Sequence, residues 1–226
     1  MQLVERAMLW TGGAAFVASL ALCALTYFAA FGRAQPSRGW PPIAADAALF
    51  TLFAAHHSLF AREPVKRAVA AAIPARLLRS VYVWTASLLL VLVCVGWRPV
   101  GGELYDRHGT HAIVHAVLQL AGVGLIALSV ARIDALELAG IRPAIGGGLQ
   151  VGGPYRLVRH PLYLGWILVV FGTARMTGDR LTFAVLTTAY VVIAVRWEER
   201  SLAQSFGADY GRYKAAVPWR LIPFIY

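Results

Sequence analysis

The sequence predicts an all-α fold, a polytopic bundle of about six transmembrane helices with both termini in the cytoplasm. Three observations lead to this prediction. Hydrophobic residues make up 59% of the 226-residue chain and charged residues only 14%, a composition that soluble domains of this size rarely have. Apolar segments recur along the chain, and the basic residues lie mainly in alternate loops between them. These features indicate a protein whose main solvent is the lipid bilayer.

Six apolar segments approach the length of about 20 residues that a helix needs to cross the hydrocarbon layer. Glycines, prolines and charged clusters bound them. They cover roughly Met8–Phe31, Ile43–Phe60, Val81–Trp97, His111–Ala131, Pro161–Ala174 and Leu181–Trp197. The second segment contains Asp46, His56 and His57, and the fifth has only 14 residues. Each of these two is expected either to span the bilayer or to form a tilted, re-entrant or interfacial helix, so the prediction is five to six spans.

The basic residues that give the net charge of +10 lie in short loops between the apolar segments. This distribution reflects membrane topology and does not form a nucleic-acid-binding surface. With six spans, 15 of the 21 lysine and arginine residues fall on one side of the membrane and 6 on the other. Because loops rich in Lys and Arg stay in the cytoplasm, this split puts both termini there. No basic face remains for nucleic acid. We expect a protein of the bacterial inner membrane whose site faces the cytoplasm.

The composition divides the chain into two regions at about residue 132. Residues 1–132 are predicted to form a helical scaffold, with a basic inner loop, Ala61–Ser80, in which the stretch Val65–Ile73 can lie along the membrane surface. Residues 133–226 combine a glycine-rich connection, two short spans and a polar tail dense in Arg, Glu and Tyr, and we expect the function there. The two cysteines lie inside apolar spans, so they are predicted to be packing residues rather than disulfide or metal ligands.

A cluster of functional side chains lies where the glycine-rich connection enters the fifth span. Pro161 suits the first position of a helix, so His160 is placed at the N-terminal boundary, where free amide groups and the helix dipole favour an anion. Arg159 and His160 are thus suited to bind a carboxylate. Tyr163 follows three residues after His160 and shares its face of the helix.

A second polar cluster, Arg196–Arg200, ends the sixth span and emerges, by the predicted topology, on the same side as His160. Carboxylates at a hydrocarbon boundary need partners, so Glu198 and Glu199 are expected to meet arginines, ligand hydroxyls or an ammonium group. S-adenosylmethionine offers a carboxylate, ribose hydroxyls, an amino group and a sulfonium that rests well against aromatic faces. The two clusters predict a site for this cofactor; the alternative is that each residue is an ordinary interface anchor.

The ordered motifs of the C-terminal region resemble the signature of the isoprenylcysteine carboxyl methyltransferase-like superfamily, over about a third of the chain. The matching elements are Arg159-His160-Pro161-x-Tyr163-x-Gly165, Glu198-Glu199-x-x-Leu202, Phe206-Gly207-x-x-Tyr210-x-x-Tyr213 and Val217-Pro218. The resemblance implies a membrane methyltransferase with an S-adenosylmethionine pocket at the cytoplasmic membrane surface. The cofactor-binding residues that it implies are Tyr155, Arg159, His160, Tyr163, Glu198 and Glu199. Phospholipid N-methyltransferases share a looser version with a Gly-x-Gly that Gly122-Val123-Gly124 resembles, although such a pair in a membrane helix also serves plain packing.

The N-terminal region is similar to the bacterial branch of that superfamily that holds methanethiol S-methyltransferases and NnrU-like proteins. The similar segments are His57-Ser58-Leu59-Phe60-Ala61-Arg62, Lys66-Arg67, Arg79-Ser80-Val81-Tyr82-Val83 and Trp97-Arg98-Pro99. The loop Ile133–Arg142 departs from the acidic-aromatic stretch that methanethiol methyltransferases tend to carry. The acceptor therefore stays open between a small thiol, a prenylcysteine-like carboxylate and a lipid, and we expect it to enter from the bilayer.

The reaction that this resemblance implies is a direct displacement, in which a nucleophile of the acceptor takes the methyl group from the sulfonium. Positioning and the exclusion of water then supply most of the acceleration. A thiol acceptor profits from a nearby positive charge that lowers its pKa. Arg159 and Arg196 are the candidate catalytic residues for this role, and Arg200 is a further source of charge.

A different class of function rests on the histidines, which suit ligation of haem or a metal between helices in an accessory protein without methyl transfer. His111 and His115 lie four residues apart on one helical face, and His56 and His57 end the second span. The predicted topology puts these two sets on opposite sides of the membrane, so they are not expected to share one centre. The preferred interpretation has no metal site.

Overall fold

The computed structural model describes residues 3–60, 62–74, 77–133, 136, 139–141 and 148–226. Nearly all regular structure in these residues is helical. The helices are α1 (Leu3–Leu25, continued by a π-helical turn at Thr26–Ala30), α2 (Trp40–Phe60), α3 (Glu63–Ala70), α4 (Leu78–Gly96), α5 (Gly109–Val130), α6 (Pro161–Phe171) and α7 (Gly178–Ala216). Two short strands, β1 (Glu103–Asp106) and β2 (Arg175–Thr177), pair antiparallel. Most of the predicted loop Ile133–Arg142 and part of the glycine-rich connection lie outside the described residues.

Five of the described helices are long and apolar enough to cross a bilayer, namely α1, α2, α4, α5 and α7. This confirms the predicted all-α polytopic fold, and the protein is an integral membrane protein. The second predicted span forms a full helix of 21 residues although it contains Asp46. That carboxylate is fully buried and accepts a hydrogen bond from the backbone amide of Arg98 at 2.8 Å, which compensates for the loss of its hydration.

The fifth predicted span is shorter as a helix than its apolar sequence suggested. α6 has 11 residues, or roughly 16 Å at 1.5 Å per residue, against about 30 Å for the hydrocarbon layer. It ends at Phe171, and the chain continues without helix into β2, where the Arg175 side chain forms an ion pair of 2.7 Å with that of Glu103 in β1. The sequence did not predict these strands, because three or four residues are too few to show an alternating pattern.

The sixth predicted span is the first half of a longer helix. α7 has 39 residues, or roughly 58 Å, so it continues well beyond Trp197. Its second half is charged and therefore lacks the apolar signal from which the span was predicted. The helix is interrupted at Gly207, whose φ of 49° lies in the left-handed region that glycine adopts without strain.

The described residues form two compact units, one of residues Met1–Gly102 with Asp134–Ile145 and one of residues Glu103–Ile133 with Gly146–Tyr226. The second unit contains α5 together with the whole C-terminal region. These units are defined by packing and not by function. The predicted division at residue 132 into a scaffold and a functional region therefore stays a prediction.

In the first unit, α4 packs against both α1 and α2. The Trp84 indole donates to the carbonyl of Met8 at 3.1 Å. Near the end of α2, the His57 Nδ1 atom lies 2.5 Å from the hydroxyl of Tyr82, and the ring of His56 stacks on the same tyrosine. Among the described residues, no group of three or more His, Cys, Asp or Glu side chains is placed to hold a metal ion.

In the second unit, α5 and α6 approach each other through glycines. A Cβ added at Gly165 would lie 2.7 Å from the carbonyl oxygen of Gly122, and one at Gly122 would lie 2.7 Å from the carbonyl of Gly165. Gln119 adds a hydrogen bond to the carbonyl of Val169 at 3.0 Å. Among the residues that the structure describes, no atom outside the local helix backbone lies within 4 Å of a Cβ at Gly124. Gly122 therefore serves helix packing, as small residues commonly do in membrane helices.

Candidate functional site

The start of α6 is held by the C-terminal segment that follows α7. Pro161 occupies the first turn of α6 and His160 its N-cap position, as the sequence predicted. The backbone amide of Arg159 donates to the carbonyl of Trp219 at 2.9 Å, and that of His160 donates to the carbonyl of Arg220 at 3.0 Å. These two amides, which precede the first turn of α6, are thus used inside the protein and tie the start of the helix to the C-terminal segment.

Glu199 forms a buried ion cluster with two arginines. Arg159 donates from Nε to Oε1 of Glu199 at 2.6 Å, and both side chains are about 5% exposed. The same guanidinium donates from Nη1 to the carbonyls of Val217 and Pro218, each at 2.7 Å. Arg220 donates from Nε to the other oxygen of Glu199 at 2.9 Å. This cluster joins the start of α6, the middle of α7 and the C-terminal segment.

Glu198, next along α7, lies on the open side of this cluster. Its side chain is 43% exposed, and one oxygen accepts a hydrogen bond from the hydroxyl of Tyr163 at 2.9 Å. His160 stacks on Tyr163 with ring centroids 5.8 Å apart, which agrees with the predicted shared helical face. The ring nitrogens of His160 lie 3.7 Å from Glu198 and 3.5 Å from Glu199, so His160 stands between the exposed and the buried carboxylate.

Tyr155 approaches the same carboxylate from the 3-10 turn before α6. Burial and the negative charge of Glu198 together raise the pKa of the Tyr155 phenol. Its backbone carbonyl accepts a hydrogen bond from the hydroxyl of Tyr213 at 2.7 Å. The Tyr155 side chain also packs against a core of Tyr210, Tyr213 and Val217. The C-terminal motif residues Tyr210, Tyr213 and Val217 therefore pack against Tyr155 and hold it in place.

Arg196 lies one turn before Glu199 and is exposed. It hydrogen-bonds the phenol of Tyr226, which also accepts from Nη1 of Arg220 at 3.1 Å. These two guanidinium groups hold the pKa of the Tyr226 phenol below its ordinary value, although partial burial acts in the opposite direction. The two predicted catalytic arginines thus differ in position, because Arg159 is buried against Glu199 whereas Arg196 faces outward.

Two residues that contact the site, Arg220 and Tyr226, are not among those predicted from the sequence. A signal for Arg220 was present, because it is the one basic residue in the otherwise apolar stretch after Pro218 and two adjacent glutamates needed partners. Nothing in the sequence indicated Tyr226, because its role depends on the chain folding back toward Arg196.

The donor set of the site fits S-adenosylmethionine. Glu198 offers a partly exposed carboxylate for hydroxyl or ammonium groups, and the rings of Tyr155 and Tyr163 beside it suit a sulfonium. The Nε2 atom of His160 is buried, and Oε1 of Glu199 lies 3.5 Å from it, at the long limit of a hydrogen bond, so a ligand atom that reaches it would give a closer partner to a polar group whose burial is otherwise costly.

Comparisons with known proteins find matches that cover the region of the chain that holds this site. The phospholipid methyltransferase family model matches residues 116–209. Methanethiol S-methyltransferase 2 of Bradyrhizobium diazoefficiens is 36% identical over 187 residues, which cover 79% of this chain and 72% of that protein. Methanethiol S-methyltransferase of Pseudomonas deceptionensis is 32% identical over 80% of this chain and 74% of its own length. Nurim of Danio rerio is 27% identical over 71% of this chain and 65% of its own. No solved structure matches the chain.

Proposed function

Because the chain belongs to the isoprenylcysteine carboxyl methyltransferase-like superfamily, in the branch that holds the methanethiol S-methyltransferases, we propose that it transfers a methyl group from S-adenosylmethionine to a small thiol. The relatives make it a membrane methyltransferase that acts on a small acceptor. S-adenosylmethionine as the donor and methanethiol as the first acceptor to test are the parts that we propose.

The juxtaposition of Tyr163 and Glu198 is the observation that carries this proposal. The hydroxyl of Tyr163 lies 2.9 Å from the Glu198 carboxylate although 35 residues separate them along the chain. This contact brings the start of α6 and the middle of α7 together beside His160. In the proposed complex, Glu198 binds the ribose hydroxyls or the amino group, His160 meets the carboxylate, and the rings of Tyr155 and Tyr163 face the sulfonium.

The two predicted catalytic arginines take different parts in this proposal. Arg159 acts through Glu199, because its guanidinium holds that carboxylate and two carbonyls of the C-terminal segment. It therefore positions the site and keeps Glu199 available to His160. Arg196 is exposed on the same helix as Glu198, and its charge lowers the pKa of an approaching thiol.

S-adenosylmethionine, when bound, supplies a methyl group that is already activated by the sulfonium. The thiolate sulfur of the acceptor forms a bond to the methyl carbon while the bond from that carbon to the sulfonium breaks, which gives a thioether and S-adenosylhomocysteine. The thiol proton leaves to water before this step. The residues of the chain hold the donor, favour the thiolate and exclude water, and this positioning provides most of the rate enhancement.

We propose further that the site faces the cytoplasm of the inner membrane. The bias of Lys and Arg toward one set of loops supports this orientation, as does the need for a nucleotide-derived donor that is made in the cytoplasm. The test is modification of a cysteine placed at exposed Gln204 by an impermeant reagent, in intact cells and in inverted vesicles. Labelling in intact cells alone would contradict the orientation.

Donor binding is tested by calorimetry with S-adenosylmethionine on the protein in lipid nanodiscs. Glu198→Gln and Tyr163→Phe are expected to weaken binding by about tenfold or more, because hydrogen bonds to charged groups contribute about 1.5–3 kcal/mol. Asp209→Asn is the matched control, since Asp209 is an exposed acid of the same helix that pairs with Arg212. Equal affinity of all four proteins would remove the proposed donor site.

The acceptor is tested by transfer of a labelled methyl group to methanethiol, to a prenylcysteine analogue and to phospholipids. Transfer to the thiol supports the proposal. Transfer only to phospholipid would overturn the thiol assignment. The activity would then be the one that names the family model matching residues 116–209. Transfer to none, with intact donor binding, would overturn the thiol assignment and keep the donor site.

A further inference from the structure

The last residues of the second unit form a closed apolar loop, Leu221–Tyr226, which we call the C-terminal loop. Its sequence, Leu-Ile-Pro-Phe-Ile-Tyr, contains no charged side chain. The amides of Leu221 and Ile222 donate to the carbonyl of Tyr226 at 2.8 and 3.0 Å, and the amides of Ile225 and Tyr226 donate to the carbonyl of Ile222 at 3.2 and 3.0 Å. Four backbone amides are thus satisfied inside the loop, which lowers the cost of removing them from water. Irregular backbone is tolerated at membrane depth only where it also packs against protein.

The loop returns along the apolar part of α7 instead of continuing into water. Ile222 and Tyr226 pack against a core of Val191, Val195 and Leu221. Val191 lies six residues before Trp197, where the apolar half of α7 ends, so this contact extends roughly 9 Å from that boundary toward the membrane interior. The loop therefore lies at the depth of the membrane-spanning part of the helix.

The two residues at the tip of the loop are the most exposed large apolar side chains of the second unit among the described residues. Phe224 is 83% exposed and Ile225 is 77% exposed. Ile193, in the membrane-spanning half of α7, is 60% exposed and is a lipid-facing residue by its place in the span. It lies on the other side of the helix from Val191 and Val195, against which the loop packs, and it serves as a reference for the depth of that span.

Phe224 also holds an unusual backbone conformation. Its φ is 65°, in the left-handed region that is unfavourable for a residue with a side chain of this size. The turn aims the aromatic ring away from the core, although its centroid keeps a 5.4 Å contact with that of Trp219. A strained turn that exposes an aromatic ring would be costly in water, whereas contact with acyl chains offsets that cost.

The polar end of the loop is tied at the membrane boundary. The Tyr226 hydroxyl accepts from Arg220 at 3.1 Å and bonds Arg196, and Arg220 in turn binds Glu199. Arginine beside tyrosine at a membrane surface is the usual arrangement in which apolar groups lie inward and charges reach water.

We propose that the C-terminal loop re-enters the bilayer, with Phe224 and Ile225 in contact with lipid acyl chains. The polar tail predicted from the sequence then ends at Arg220. The residues beyond it form a membrane anchor that holds the Arg220 side chain against Glu199. This inference is independent of methyl transfer.

The test is depth measurement with an environment-sensitive fluorophore on single cysteines in phosphatidylcholine vesicles that contain nitroxide-labelled lipid. Cys23 and Cys94 are first replaced by alanine. Cysteines are then placed at Phe224 and Ile225, at lipid-facing Ile193, and at Gln204, which is exposed on the charged half of α7. We expect quenching by nitroxide lipid at 224 and 225 to equal that at 193, and quenching at 204 to be absent.

Two results would overturn the proposal. Quenching of positions 224 and 225 by aqueous iodide, as at 204, would place the loop in water. Protection from both iodide and nitroxide lipid would show that protein, such as a second copy of the chain, covers it. Using both 224 and 225 keeps the test valid if one variant does not fold.

Discussion

Arg159 and Glu199 form a buried ion pair, 2.6 Å between Nε and Oε1, although 40 residues separate them along the chain. Arg220 approaches the second oxygen of the same carboxylate. The start of α6, the middle of α7 and the C-terminal segment thus meet at one carboxylate. Glu198, directly before it, is 43% exposed and accepts a hydrogen bond from Tyr163.

Glu199→Gln is expected to destabilise the protein by about 3–5 kcal/mol, because it leaves the buried guanidinium of Arg159 without its counter-charge and removes that of the partly exposed Arg220. Thermal unfolding in detergent measures this effect. Asp209→Asn, which removes an exposed partner of Arg212, is the control and is expected to cost no more than about 1 kcal/mol. Equal unfolding temperatures for the two variants would contradict a bracing role of Glu199.

Gly165→Ala is expected to lower the free energy of unfolding by about 1–3 kcal/mol, because the new methyl group would force α5 and α6 apart. The added Cβ would lie 2.7 Å from the carbonyl oxygen of Gly122. Gly124→Ala is the matched control on α5, since no described atom outside the local helix backbone lies within 4 Å of its Cβ. Comparable melting of both variants would argue against the close approach of the two helices.

Arg196→Gln is expected to reduce kcat/KM for a thiol acceptor by about fivefold, corresponding to roughly 1 kcal/mol of lost charge stabilisation. The pH at which kcat/KM reaches its plateau should rise, because the thiol then ionises at its ordinary, higher pKa. Steady-state rates over a pH series measure both effects. Arg212→Gln, beyond the break at Gly207, should leave the profile unchanged, and an unshifted profile for Arg196→Gln would remove its assigned role.

Tyr155 is expected to make stability depend on pH in the alkaline range. Burial and Glu198 raise the pKa of its phenol in the folded protein, so above about pH 10 the unfolded chain loses this proton while the folded chain keeps it. The contribution of Tyr155 is therefore complete below pH 10 and is lost as pH rises further. The melting temperature should decrease more between pH 8 and pH 11 for the native protein than for Tyr155→Phe. An equal decrease for both proteins would contradict the raised pKa.

Much of the site was accessible from local sequence patterns. Pro161 after His160 placed the helix start correctly, and the spacing of His160 and Tyr163 predicted their shared face, which the stacked rings confirm. The need of Glu198 and Glu199 for partners was also predicted from the cost of carboxylates near hydrocarbon. The sequence could not predict which partner binds which of the two glutamates. The contacts of both Glu199 oxygens and the exposure of Glu198 depend on how three separate segments pack.

The parts that the sequence missed are those without a periodic signal. β1 and β2 have four and three residues, too few for an alternating pattern, and α7 continues past Trp197 through charged residues that carry no apolar stripe. Arg220 and Tyr226 acquire their contacts only because the chain turns back after α7. Long-range contacts of this kind produce no sequence pattern with a fixed spacing from which they could be predicted.

The length of an apolar segment and the cost of a buried charge are local properties, so the sequence predicts a membrane helical bundle and the short motifs that supply its polar cluster. Only the packed structure shows that Glu199 is a buried brace and Glu198 the more exposed group, and that the C-terminal loop lies along α7. Burial and ion pairing are decided by distances between segments far apart in the chain, and those distances exist only once the helices have packed.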